Sequence, residues 1–159
     1  MKLSEIVSRK AIVEELKSTE KEAAIRELVD VIREAHDVKV KSADVIALLL
    51  GREARGSTGI GDGVAIPHEA VEGLKEFVGA FGRAPGGIDF RAIDGEPVHL
   101  IFVILHPKDR VDDKLKLLKK IAGAFKLNSS THFGRFLKNA KGVRELYEIF
   151  QEIDEKFPG

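Results

Sequence analysis

Apolar residues recur along this chain in two rhythms, and the changes of rhythm mark out its elements. Residues Leu3–Val7 have the pattern of a helical turn, and Ala11–Leu16, with Ile12, Val13 and Leu16 apolar, reads as a short strand. Thr19-x-x-Glu22 has the form of a capping box. It opens a helix on which Ala23, Ile25, Leu28, Val29 and Ile32 recur at helical spacing, with His36 near its C-terminus as a dipole-compatible surface cation or plain cap. Ser42 is placed to cap a second helix, Ala43–Arg52 or slightly beyond, partly buried through Leu48-Leu49-Leu50.

The rhythm then shortens. Val64-Ala65-Ile66 reads as a short buried strand that Pro67 ends by removing a ladder donor. Glu69–Glu76 reads as a loop or short turn. Phe77–Phe81 reads as a strand ending in the turn Pro85-Gly86-Gly87, and Asp94-Gly95 is a tight-turn dipeptide. Val98–Leu105 is the strongest strand, apolar on both faces, as a covered central strand should be. His99 within it reads as structural, and His106-Pro107 ends it.

Asp109–Phe125 is an amphipathic helix with Leu115, Leu117, Leu118, Ile121, Ala122 and Phe125 inward, and Lys114, Lys116, Lys119 and Lys120 on a solvated face. A helix over Ser130–Asn139 buries Phe133, Phe136 and Leu137 and leaves His132 exposed in its first turn. A last helix, Val143–Phe157, buries Leu146, Ile149, Phe150 and Ile153. Helices interspersed with short strands argue an α/β layer architecture.

Composition narrows the class. A chain of 159 residues suits one domain, residues 1–159, with a sizeable core. Lysine plus arginine balance aspartate plus glutamate, 26 against 26, so bulk charge points neither to nucleic acid nor to an anionic membrane. Without cysteine there is no disulfide framework and no thiol chemistry. The N-terminus lacks the apolar core of a signal peptide, and the longest apolar runs fall far short of the ~20 residues that span a bilayer. The default is a cytoplasmic protein with no direct membrane insertion.

Chemistry concentrates in Gly56–Glu69, GSTGIGDGVAIPHE. Gly56, Gly59, Gly61 and Gly63 allow a backbone to pass close to a bound group, and Ser57 and Thr58 add hydroxyls. A strand and a proline then deliver the imidazole of His68. Imidazole is a good nucleophile near neutral pH, and successive amides can form an anion-binding nest. The stretch thus suits a histidine that takes and passes on a phosphoryl group; it equally suits a glycine-rich connection followed by a surface histidine. It is no P-loop, because Asp62 stands where the lysine belongs. It is no dinucleotide fingerprint, and His68-Glu69 lacks the second histidine of a zinc protease. Arg52, Glu53 and Arg55, just upstream, read by themselves as a solvated helix end.

Arg52-Glu53, then Gly56-Ser57-Thr58-Gly59-Ile60-Gly61, then Val64-Ala65-Ile66-Pro67-His68, closely resembles the active-site segment of a family of bacterial phosphotransferase-system (PTS) components. These are the EIIA domains of the fructose/mannitol type, most closely their nitrogen-regulatory branch. The resemblance runs by order of elements from about Leu3 to Phe157.

It implies a mixed sheet with helices on both faces, and His68 as the phosphorylated residue. Phosphoryl oxygens would be held by Arg52, by the Ser57 or Thr58 hydroxyl, and by amides including those of Gly59 and Gly61. It also implies a phosphoryl donor resembling HPr, an EIIB or regulatory target protein as partner, and no cofactor or metal. The family commonly carries a second histidine at the start of the helix after the long strand; the apolar pattern aligns Lys114 there, and His106 is the other candidate. Arg55 stands where the family often has an apolar residue. Three functions are consistent with this reading: a regulatory phosphoprotein, a sugar-specific EIIA passing phosphate to an EIIB, and a binding module of the same fold that no longer transfers phosphate.

Overall fold

The computed structural model describes residues 1–125 and 133–159. Its sheet is built around β6, Val98–His106, buried at every position but the half-buried His99. β5, Val78–Ile88, lies antiparallel along one edge of β6, and β1, Ile12–Val13, runs parallel to β5 beyond it. On the other edge β3, Val64–Ala65, and β4, His68–Ala70, both pair parallel with β6. β2, Gly59–Gly61, is antiparallel to β3. The order β1-β5-β6-β3-β2, with β4 also on β6, is the mixed sheet expected.

Helices cover both faces. Phe81 of β5 and Phe102 of β6 are register partners, so they point the same way. On that face their rings meet Phe125 of α4, Val111–Phe125, and Phe150 of α6, Gly142–Lys156. α1, Leu3–Ile6, packs on α6, and α5, Phe133–Asn139, packs between α4 and α6. α2, Lys21–His36, packs on β5 and against α3, Ser42–Ala54.

The helical spacing located these elements to within a few residues, but several local readings need correction. α2 begins after Glu20, which puts Thr19 one residue too early to cap; Glu27 reaches back instead to the Ser18 amide and hydroxyl. Ser42 lies inside α3, with its hydroxyl accepting from Arg33. His36 is half-buried with Nε2 on the Gly79 carbonyl, not a surface cation. The strand in Ala11–Leu16 contracts to β1, preceded by a 3-10 turn at Arg9–Ala11.

β5 continues through Pro85-Gly86-Gly87, where its pairing with β6 becomes irregular and Gly87 takes φ +81°. A strand can absorb proline and glycine at such a bulge. Leu115 and Phe136 are exposed, whereas Lys120 is buried in an ion pair with Asp154 at 2.7 Å. The expected start of a helix at Ser130, with His132, lies outside the described residues.

Pro67 interrupts a strand without ending it. Val64 pairs with Leu100, Ala65 with Ile101, His68 with Ile104 and Ala70 with His106, so one register continues across the break. The Pro67 carbonyl accepts from the Ile104 amide at 2.9 Å, but proline has no N–H to return. One ladder bond is lost, and His68 opens the resumed strand where a loop was expected to follow it.

Candidate active site

The glycine-rich stretch is mostly a β-hairpin. Asp62 and Gly63, between β2 and β3, have φ of 58° and 79°. Two successive positive φ angles define the type I′ turn that suits a right-twisted two-residue hairpin. A Cβ on Gly59 would come within 2.8 Å of the Ala92 side chain, which fixes glycine there by close approach.

The donors expected to cradle a phosphate have other partners. The Thr58 hydroxyl and amide both donate to the Glu53 carboxylate, the Ser57 hydroxyl donates to the Phe90 carbonyl at 2.5 Å, and the Gly59 amide donates to Ser57 Oγ. Gly61 sits in the β2–β3 ladder. Ser57, Thr58, Gly59 and Gly61 therefore form a wall beside β3 that is fastened by bonds within the protein, where the glycines suggested an open nest.

Glu53 organises this wall and is not a solvated helix end. It is 8% exposed, lies 2.5 Å from the Lys21 ammonium, and so ties the end of α3 to the start of α2 as well as to Thr58. Its sequence signal was its position four residues after Leu49, on the buried stripe of α3.

His68 is half-buried. Its Nδ1 lies 2.7 Å from the Ile66 carbonyl. A carbonyl only accepts, so this contact places the proton on Nδ1 and leaves Nε2 with a lone pair in the neutral ring. Burial holds the imidazole pKa below its usual value, against the Ile66 bond, and the charges of Arg52, Lys114 and His106 push it down further. The structure thus gathers all four of these residues. Among the described residues neither Arg52 nor Lys114 has a carboxylate within ion-pairing distance; Arg52 donates to the Gly56 carbonyl at 2.7 Å. Arg55 pairs loosely with Glu69, at 3.8 Å.

His106 lies on the same face of the sheet. Parallel partners point alike and side chains alternate, so His68, Ile104 and His106 share one side. His106 is 3% exposed, places Nδ1 3.0 Å from the Pro107 carbonyl, and stacks on Phe77 with centroids 5.6 Å apart. His99 bonds the Ala84 carbonyl and His36 the Gly79 carbonyl, and neither joins the site. The site therefore combines an uncharged imidazole nitrogen with two nearby cations, Arg52 and Lys114, that have no carboxylate within ion-pairing distance among the described residues, which is chemistry suited to an incoming anion.

The family model for the phosphoenolpyruvate-dependent sugar phosphotransferase system, EIIA 2, matches residues 5–153. A nitrogen regulatory protein of Bradyrhizobium diazoefficiens is 33% identical over 149 residues, covering 94% of each chain. The fructose-specific EIIABC component of Bacillus subtilis is 35% identical over 122 residues, which are 77% of this chain and 19% of that larger protein. The crystal structure of nitrogen regulatory protein IIA-Ntr from Neisseria meningitidis superposes with a TM-score of 0.83 at 35% identity, covering 93% of this chain and 98% of that one. No helix among the described residues is long and apolar enough to cross a membrane.

Proposed function

Since the chain belongs to the EIIA 2 family of the phosphoenolpyruvate-dependent sugar phosphotransferase system, we propose that His68 is its phosphoryl acceptor. The Nε2 lone pair attacks the phosphorus of a phosphohistidine on an HPr-like carrier. The carrier's P–N bond breaks, and its electron pair stays on the carrier's ring nitrogen. Positioning and charge stabilisation dominate such a transfer. Arg52 supplies a planar fork and Lys114 a point charge for the phosphoryl oxygens, so Lys114 takes the place of the family's second histidine. The observation that carries this reading is the Ile66 carbonyl on Nδ1, which leaves Nε2 with its lone pair in a ring close enough to Arg52 and Lys114 to feel their charge, two cations without a carboxylate partner among the described residues.

The product has two possible uses. A phosphoryl group adds about −1.5 to −2 charge at a surface site and can remake a protein interface. A regulatory phosphoprotein is favoured by the near-complete coverage of the nitrogen regulatory relatives, with an EIIB-independent target as partner. Passage to an EIIB for sugar uptake is the second reading, favoured by the fructose-specific relative.

Incubation with phosphoenolpyruvate, the first PTS enzyme and the carrier should place an acid-labile label on the wild type and none on His68→Ala. A label that survives His68→Ala overturns the assignment. A wild type that takes no label points to a binding module of this fold. Rapid transfer of the label to a fructose- or mannitol-type EIIB would favour the transport reading over the regulatory one.

A further inference from the structure

We propose that His106 is a positioning residue that takes up a proton when His68 is phosphorylated and then donates it, through Nε2–H, toward the phosphoryl oxygens. The inference rests on His68 being the acceptor. Its foundation is placement. Neighbouring strands lie about 4.8 Å apart and rise about 3.3 Å per residue, so the diagonal from His68 to His106 is about 8 Å between Cα atoms. Both side chains stand on the face that α4 covers, where Lys114 lies close enough to depress both imidazoles. A phosphoryl group on His68 Nε2 extends into the space they share.

The orientation of the His106 ring is fixed from two sides. Pro107 holds Nδ1 through its carbonyl, and the Phe77 ring lies against one face. Arg110 sits over Phe77 at 5.0 Å, and Asp113 and Glu76 bind Arg110, so the support is itself braced. With Nδ1 bearing the proton, the only remaining polar atom of the ring is Nε2. Among the described residues it has no hydrogen-bond partner. In the neutral ring it is an acceptor and would repel a phosphoryl oxygen, so it becomes useful to that group only on protonation.

The charges facing His106 decide when that happens. Burial holds it uncharged in the resting protein, Lys114 on α4 acts in the same direction, and the Pro107 bond and Glu69 on β4 oppose them. Arg110, behind Phe77, is engaged by its own carboxylates. A dianionic phosphoryl group on His68 reverses this balance, because an opposite charge favours the protonated ring. The proton comes from solvent, no bond forms to His106, and the ring remains charged until the phosphoryl group leaves.

The test reads the His106 ring directly. Imidazole 15N NMR titrations of the wild type, before and after labelling by phosphoenolpyruvate, the first PTS enzyme and the carrier, should show the His106 midpoint moving to higher pH in the labelled protein, with Nε2 protonated at neutral pH. The phosphohistidine lifetime should carry a pH step at that midpoint, and the step should vanish in His106→Gln. A His106 midpoint that does not move while His68 carries the label overturns the inference and leaves the acceptor assignment intact. Failure to label His68 overturns both. The measurement on wild type makes the result independent of whether His106→Gln folds.

Discussion

Between α1, α4 and α6, the Asp154 carboxylate accepts from the Leu3 amide, the Ser4 amide and hydroxyl, and the Lys120 ammonium. Around His68, Arg52 and Lys114 face an imidazole that offers them no charge in return. The first place holds its charged groups out of bulk water, and the second holds Arg52 and Lys114 half-buried. In the first every charge is matched and the carboxylate also serves as the cap of α1; in the second positive charge is left over. Matched charge fastens elements together. Surplus charge held on packed helices costs stability unless an anion arrives, and it persists where an anion is meant to bind.

The largest effect that would sharpen this contrast belongs to the matched cluster. Asp154→Ala leaves Lys120 buried with only the Met1 carbonyl as partner among the described residues and strips the start of α1 of its acceptors. Breaking a buried pair on one side costs about 3–5 kcal/mol. Urea unfolding should show that loss while the rate of His68 labelling stays at the wild-type value. The carboxyl pKa is pushed up by burial but held below its usual range by Lys120, Ser4 and Leu3. A depressed carboxylate stabilises above its unfolded pKa, and that stability is lost as pH falls through the lower folded value. The wild type should therefore lose this contribution only in strong acid, and Asp154→Ala should lack the transition. Slower labelling in Asp154→Ala would erase the division between the two clusters.

Next in size are the surplus cations. Removing one preorganised donor from a developing charge costs about 10²–10³ in rate where the site is enclosed, and this site is partly open. Arg52→Ala and Lys114→Ala should each slow carrier-to-His68 transfer by about tenfold to a hundredfold. Neither loses a carboxylate partner among the described residues, so urea midpoints should change little, within about 0.5 kcal/mol. Arg52→Lys keeps the charge but not the fork, and should fall between. A Lys114→Ala protein with unchanged transfer rate and phosphohistidine lifetime would remove Lys114 from the site and leave His106 as the nearer equivalent of the family's second histidine.

How far the sequence reveals these two regions differs for a physical reason. β6 and the helices α2, α4 and α6 show in the pattern because each repeats one local rule over many residues. His68 shows because Val64-Ala65-Ile66-Pro67-His68 is contiguous. The roles of Glu53, Lys120 and Asp154 depend on partners distant in the chain, so a charged residue there looks solvated. One trace remained: Glu53 follows Leu49, Lys120 follows Leu117 and Asp154 follows Phe150 at helical spacing, so all three sit on buried stripes. The hydroxyls of Ser57 and Thr58 misled for the same reason, since Phe90 and Glu53 claim them only in the folded chain.

The smallest expected effect is graded rather than lost at a stroke, and it tests the surplus charge through pH, with a single mutation at His36 as the control. His36, His68 and His106 all titrate below the usual 6.5, in each case first because of burial. The unfolded chain then takes up these protons before the folded one does, so stability should decline as pH falls below 6.5 and continue to decline until the folded rings also protonate. Each proton bound only by the unfolded chain adds ~1.4 kcal/mol per pH unit to the slope. His36 lies away from the site, so His36→Gln should remove its share from both the resting and the phosphorylated protein. A phosphoryl group on His68 supplies the missing anion and ends the depression of His106, so the phosphorylated protein should be the more stable at pH 6 and its acid slope the shallower. Urea midpoints at pH 8, 7, 6 and 5 for the two forms would decide it; parallel curves would mean that the cations around His68 already have all the counter-charge they need.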